Sequence, residues 1–143
     1  MSDQKPGQPQ QPENQQDEDA IAFARGIFEL ARNGGTTMLH PLLEAGVPVD
    51  IRTSEGDSLL MLASCNGHRE AVRMLLEKGA SPDLANNQQE TPLMMAARHN
   101  RGDIIDQLLE AGADPEVSDA DGNTALSHAK TMGAEDAITK LSQ

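Results

Sequence analysis

A repeat of 33 residues is the sequence feature that most limits how this chain can fold. The segments 58–63, 91–96 and 124–129 each begin with Ser or Thr, continue with mostly small or apolar residues and end in Ala. The segments 72–82 and 105–115 align at the same offset, each with a Leu-Leu pair, a glycine and a final proline. Agreement of so many positions at one offset predicts a chain built from repeated structural units.

Each unit is predicted to contain two short helices joined by a turn. The first helix begins at a residue that accepts hydrogen bonds at a helix N-cap; these residues are Ser58, Thr91 and Thr124. The turn falls on residues suited to a left-handed backbone; these are Gly67, Asn100 and Gly133. Neither helix is long enough to be stable alone, so the units must stack and bury their apolar faces on one another.

The composition argues against several classes of partner. Two Phe are the only aromatic residues, so platforms that stack bases or sugars are not expected. The chain has 11 basic and 23 acidic residues, a net charge of −12. Because this charge repels phosphates and anionic lipid, we expect neither nucleic acid nor a membrane as partner.

The N-terminal segment differs from the repeats. Residues 1–16 are rich in Gln and Pro, and are predicted to be a disordered tail that precedes a folded domain at 17–143. The first helix is predicted to start near Asp17 and to stop at the glycine pair Gly34-Gly35. With one cysteine, no apolar signal core and no apolar stretch of membrane-spanning length, a cytoplasmic location is expected.

The repeated motifs resemble those of the ankyrin repeat family. T-P-L-M-M-A-A at 91–97 and L-L-E-A-G-A-D-P at 108–115 are similar to the family signature, as is the turn Gly67-His68. The resemblance implies an all-α ankyrin-repeat solenoid of about four helix-turn-helix repeats joined by short β-hairpin-like loops. The expected units are roughly 20–53, 54–86, 87–119 and 120–143. The opening 23–34 also resembles the first repeat of small stand-alone bacterial ankyrin proteins.

Two departures from the family pattern concern local geometry. The family's usual His, which ties adjacent loops by hydrogen bonds, is replaced by Met61, Met94 and Ser127. Pro41 falls inside the second helix expected for the first unit. An interior proline costs roughly 3 kcal/mol, so this helix is predicted to be irregular or shortened to start near His40.

No catalytic motif emerges from the sequence, and neither an enzyme, a cofactor nor a metal site is expected. Cys65 lies near His68 and Arg69, whose charges could lower the pKa of its thiol. The four histidines occupy different repeat positions, which makes convergence on one metal improbable; they are His40, His68, His99 and His128. The acidic stretch 119–123 has the wrong spacing for a calcium loop and is predicted to form a tight turn.

The resemblance implies that residues between the conserved frame positions of a solenoid bind another protein on its concave face. The candidates are Arg52, Glu55, Asp57, Cys65, Asn66, Asn87, Gln88, Glu90, Arg98, His99, Asp121, Asn123 and Lys130. Arg52 and Arg98 are the expected anchors, because arginine is frequent among interface hot spots.

The sequence therefore predicts a monomeric, non-catalytic protein–protein interaction module. One alternative is an accessory subunit or stress-related protein with a redox or metal role for Cys65 or the histidines. Another is a scaffold that self-associates through its terminal repeats.

Overall fold

The computed structural model describes the backbone of residues 11–143 and the side chains of residues 17–143. This part of the chain forms eight helices and no strand, with one isolated bridge between Arg52 and Ser58. The helices are α1 (Gln11–Asn33), α2 (Thr36–Glu44), α3 (Leu59–Cys65), α4 (Arg69–Glu77), α5 (Pro92–Arg98), α6 (Gly102–Glu110), α7 (Ala125–Met132) and α8 (Glu135–Leu141). The predicted all-α architecture is confirmed.

The helices stack as two parallel rows. The first helices of the pairs contact one another in the order α1, α3, α5, α7, and the second helices in the order α2, α4, α6, α8. The core lies between the rows, and its largest fully buried side chains include Leu60, Leu93 and Ile105. Each unit therefore buries its apolar face on the next, as the short helices require.

The predicted helix starts and turns are confirmed. The hydroxyls of Ser58, Thr91 and Thr124 accept hydrogen bonds from the backbone N–H three residues later, at 3.1, 3.3 and 3.2 Å. These N–H groups belong to Met61, Met94 and Ser127, which replace the family's usual His. The turn positions all have positive φ, which is 80° at Gly67, 57° at Asn100 and 66° at Gly133.

The first helix begins earlier than the sequence predicted. It starts at Gln11 rather than near Asp17, so the backbone of residues 11–16, which the sequence assigned to a disordered tail, is helical. Pro12 lies in the first turn, where a missing N–H breaks no helical hydrogen bond. Gln and Glu in this stretch have good helix propensity. The rest of the predicted tail, residues 1–10, lies outside the described residues.

Of the two outcomes predicted for the second helix of the first unit, the shortened helix that starts near His40 is wrong. α2 spans nine residues, Thr36–Glu44, with Pro41 inside it, and equals α4 and α6 in length. Pro41 is exposed, and so is Thr37, whose carbonyl would have received the missing hydrogen bond. Burial of Leu39 holds the helix against its neighbours. Packing therefore outweighs the local cost of the proline.

Candidate concave protein-binding groove

A concave groove of about 540 Å³ lies between the end of α1, the helices α3 and α5, and two loops that precede helices. We call it the central groove. Its lining residues are Arg32, Glu55, Asp57, Met61, Leu62, Cys65, Asn66, Asn86, Asn87, Gln88, Glu90 and Met95. Polar side chains form its walls, and buried Met61, Leu62 and Met95 form an apolar floor.

Three equivalent loop residues shape the hairpin-like loops beside the groove. The side-chain oxygen of Thr53 accepts hydrogen bonds from the N–H groups two and four residues later, at 3.2 and 3.1 Å. Asn86 does the same at 2.9 and 2.9 Å, and so does Asp119. The predicted turn at 119–123 is thus confirmed. The sequence analysis missed this role, although a small polar residue recurs every 33 positions.

The hairpin-like loops are joined to one another by hydrogen bonds. The backbone N–H of Asn87 donates to the carbonyl of Glu55 at 3.0 Å, and its side chain donates to the carbonyl of Ser54 at 3.0 Å. Gly56 has a φ of 89°, and a Cβ there would come within 2.8 Å of the Asn87 nitrogen. The close approach of these loops makes one continuous wall of the groove.

A polar network stands behind this wall. Asn86 donates from its amide nitrogen to Asp57 at 3.0 Å and to Glu90 at 2.9 Å. Arg98 donates to the other oxygen of Glu90 at 2.8 Å. Burial raises the pKa of Glu90, but the hydrogen bonds from Arg98 and Asn86 outweigh it and leave the pKa lowered. Glu90 is therefore held as a carboxylate.

The network continues into the last unit. Arg98 also lies 3.4 Å from Nδ1 of His128, and Nε2 of His128 lies 2.7 Å from the carboxylate of Asp119. A proton on Nε2, with Nδ1 accepting from Arg98, satisfies both contacts. Burial raises the pKa of Asp119, while hydrogen bonds from the backbone of Asn123 and from His128 prevail and lower it.

Comparison with known proteins identifies the family. The family model for ankyrin repeats, in three copies, matches residues 27–119. The chain belongs to the ankyrin repeat family. The matched region covers residues 27–33 of α1 and the helices α2 to α6, and ends before the last pair of helices.

One curated relative is an ankyrin repeat protein of Pseudomonas aeruginosa. It is 44% identical over 62 residues, which are 43% of this chain and 36% of the relative. The chain thus matches about a third of the length of that protein. No helix in the described part of this ankyrin chain is long and apolar enough to cross a membrane.

The ankyrin fold brings together just over half of the predicted partner-binding residues. Those that line the central groove are Glu55, Asp57, Cys65, Asn66, Asn87, Gln88 and Glu90. The others lie elsewhere; they are Arg52, Arg98, His99, Asp121, Asn123 and Lys130. Sequence reasoning missed Arg32 and Asn86, which also line the groove.

The two predicted anchors differ in how their charge is used. Arg98 is already bound within the chain, to Glu90 and His128, with a side chain that is 28% exposed. Arg52 is exposed at the base of the hairpin-like loop 52–58. Arg98 is thus placed to hold the groove wall, whereas Arg52 is available to a partner.

The structure does not bear out an activated thiol at Cys65. Burial raises the pKa of the Cys65 thiol, and the nearby charges of Arg98 and Arg101 oppose this without reversing it. The charges that act on the thiol are those of Arg98, Arg101, Asp57 and Glu90, not those of the predicted His68 and Arg69. The ring of His68 instead contacts the carbonyl of Arg32 at 2.6 Å.

The histidines of the repeats stand apart in the structure. Partial burial and then the charges of Arg101 and Arg98 lower the pKa of His99, the residue that follows the last turn of α5. His40 lies on α2, 3.8 Å from Glu44, and His128 contacts Asp119. Among the described residues, no three His, Cys, Asp or Glu side chains form a group able to hold a metal ion.

Proposed function

We propose that this ankyrin chain is a non-catalytic module that binds an extended segment of a partner protein in the central groove. Ankyrin repeats are generally protein–protein interaction modules. The observation that carries the proposal is the contrast between the two kinds of residue in the repeat. Frame residues such as Leu60 and Leu93 are fully buried between units. Groove residues such as Gln88 are exposed, and their side chains are free to contact another molecule.

The chemistry of the central groove favours a particular kind of contact. Glu55, Asp57 and Glu90 make its lining acidic, and Arg32 is the only basic residue that lines it among those with described side chains. None of the described residues that line the groove is aromatic. The bulky apolar groups of the interface therefore come from the partner, and fill the space above the methionine floor.

A pair of matched double variants tests the proposal. Glu55→Arg/Gln88→Arg alters the groove, and Glu110→Arg/Thr139→Arg makes the same charge change at exposed positions on α6 and α8. Both are used as baits for partner capture beside the unaltered full chain, with quantitative mass spectrometry. A partner retained by the unaltered chain is expected to be retained by the α6/α8 variant and lost by the groove variant.

Equal retention by both variants would argue against the central groove as the binding surface. Circular dichroism melting of each variant establishes that the fold is intact before retention is compared. The proposal also includes a monomeric state, which light scattering after size exclusion measures. A concentration-independent dimer that the groove variant dissociates would favour the self-associating scaffold instead.

The redox alternative receives no support from the site. A raised pKa makes the Cys65 thiolate scarcer at neutral pH and the thiol a weaker nucleophile. Thiol titration of the native protein is therefore expected to be slow relative to the unfolded chain.

A further inference from the structure

The first helix extends well beyond the repeat frame. α1 has 23 residues, whereas the equivalent helices α3 and α5 have seven each. The frame position of Leu59, at the start of α3, corresponds to Gly26 in α1. Residues 11–25 therefore replace, with helix, the hairpin-like loop that precedes the first helix of every other unit.

This extension builds a second cleft, which we call the α1 cleft. Ile21, Ala24 and Phe28 recur at the spacing of one helix face and line one side of it. The loop residues 52–55 line the other side, and the cleft has a volume of about 740 Å³. Ile21 is 50% exposed, so the apolar side of the cleft is open at its outer end.

The charge of the α1 cleft is opposite to that of the whole chain. Among residues 17–143, its charged lining comprises three arginines and two glutamates; these are Arg25, Arg32, Arg52, Glu29 and Glu55. Arg32 pairs with Glu29 at 2.9 Å. Among the side chains of residues 17–143, Arg25 and Arg52 make no ion pair. Two available arginines thus flank an apolar surface on a protein of net charge −12.

We infer that the α1 cleft binds an acidic amphipathic segment of a partner protein. A large apolar side chain of that segment packs on Ile21 and Phe28, and its carboxylates pair with Arg25 and Arg52. The guanidinium of arginine can form two parallel hydrogen bonds with a carboxylate. Apolar side chains packed beside such an ion pair exclude water from it and so strengthen it. The inference rests on the proposal that the chain binds a protein, and it names the chemistry that the α1 cleft selects.

The α1 cleft and the central groove are expected to bind partner segments of opposite charge. The two surfaces share Arg32 and Glu55 and so are continuous. The central groove adds Asp57 and Glu90 to its lining and is acidic, whereas the α1 cleft adds Arg25 and Arg52. A single partner segment that follows both surfaces would be acidic where it meets α1 and basic or polar beyond the loop of Glu55.

Selection from a random twelve-residue peptide library, displayed on phage against the full chain, tests this inference. Enriched peptides are expected to combine Leu, Ile or Phe with Asp or Glu. Their affinity is expected to fall at least tenfold with Arg25→Glu/Arg52→Glu. The control Arg69→Glu/Arg73→Glu makes the same charge change on α4 and is expected to alter affinity less than twofold.

A second pair of variants tests the apolar contact. Ile21→Ser is expected to lower the affinity for the same peptides at least fivefold. Met38→Ser, at a side chain that is 64% exposed on α2, is expected to leave that affinity unchanged. Since Ile21 and Met38 are both exposed, neither change removes a core side chain.

Three outcomes would overturn the inference. The first is selection of no peptide, or of peptides that are indifferent to the Arg25/Arg52 change. The second is enrichment of basic peptides whose binding depends on Asp57. This result would agree with the proposed function but contradict the inference that the α1 cleft binds an acidic segment. The third is a dimer of the chain that Ile21→Ser dissociates, which would make a second copy the occupant of the α1 cleft.

Discussion

The helices α5 and α7 occupy the same place in neighbouring repeats but differ in burial. In α5, all six residues from Pro92 to Ala97 are buried, whereas in α7 only Ala125 and Ala129 are. α5 packs between α3 and α7, while α7 stands at the end of the row of first helices and packs mainly on α5. The same local template therefore contributes different amounts of stability, depending on how many neighbours cover it.

The last repeat shows how the sequence accommodates a missing neighbour. Where α5 has Met94 and Met95, α7 has Ser127 and His128. His128 contacts Asp119 and Arg98 and so contributes polar contacts where apolar burial is not available. The last repeat of a solenoid is exposed to water on its outer side. In this chain, His128 of the last repeat also belongs to the polar network behind the groove wall.

The largest expected difference between the two repeats concerns equivalent leucines. Leu93→Ala should lower the free energy of unfolding by about 2–5 kcal/mol, because the side chain is fully buried and its removal leaves a cavity. Leu126→Ala should cost roughly half as much or less, since Leu126 is only half-buried. Urea unfolding of both variants measures the difference. Equal losses would contradict the role of neighbours in repeat stability.

Local opening should follow the same order. Amide hydrogens in residues 120–143 are expected to exchange on the order of tenfold faster than those in 58–112, because the last helices have fewer buried contacts. Hydrogen exchange with mass spectrometry at residue or peptide level measures this under native conditions. Slower exchange at the end than in the middle would show that the last repeat is not the weak one.

The polar network should make the link between the two repeats sensitive to acid. Glu90 and Asp119 have pKa values below those of the unfolded chain, so the folded state binds fewer protons as the pH approaches them. Their stabilisation is complete above the unfolded values, about 4, and is lost as the pH falls through the lowered ones. The melting temperature should therefore decline below about pH 4.

Arg98→Met provides the control for this pH dependence. Removal of the guanidinium takes away the main hydrogen bond that lowers the pKa of Glu90. The difference in melting temperature between the unaltered protein and the variant should therefore be largest at neutral pH and narrow in acid. A difference that stays constant from pH 7 to pH 3 would mean that Arg98 acts by packing alone.

The smallest expected effect concerns the loop tips. Gln89 has a φ of 66° at the position that Gly56 and Gly122 occupy in the neighbouring loops. Gln89→Gly removes a left-handed strain of roughly 1 kcal/mol, partly offset by the entropy of glycine, so a gain of about 0.5 kcal/mol is expected. Gln88→Gly, where φ is not positive, should be neutral or destabilising. Thermal unfolding of both variants distinguishes strain relief from a general loop effect.

The repeat period was sufficient to predict much of the fold, because the residues that recur are those that start helices and form turns. An N-cap hydroxyl such as that of Thr91, or a left-handed turn such as Asn100, depends on a few adjacent residues and can be inferred from them. The candidate site was predicted only in part. The repeat position of Arg98 suggested a side chain available to a partner protein. In the folded chain it instead contacts Glu90, in the loop before α5, and His128, on α7.

The repeat, the helix starts and turns of the middle units and the acidic character of the chain can all be inferred from the sequence, because they depend on spacing and composition. The continuation of α2 through Pro41 and the position of Arg25 and Arg52 beside one apolar cleft became evident only in the folded chain. Such features depend on which surfaces meet after stacking, and residues far apart in the chain set that geometry.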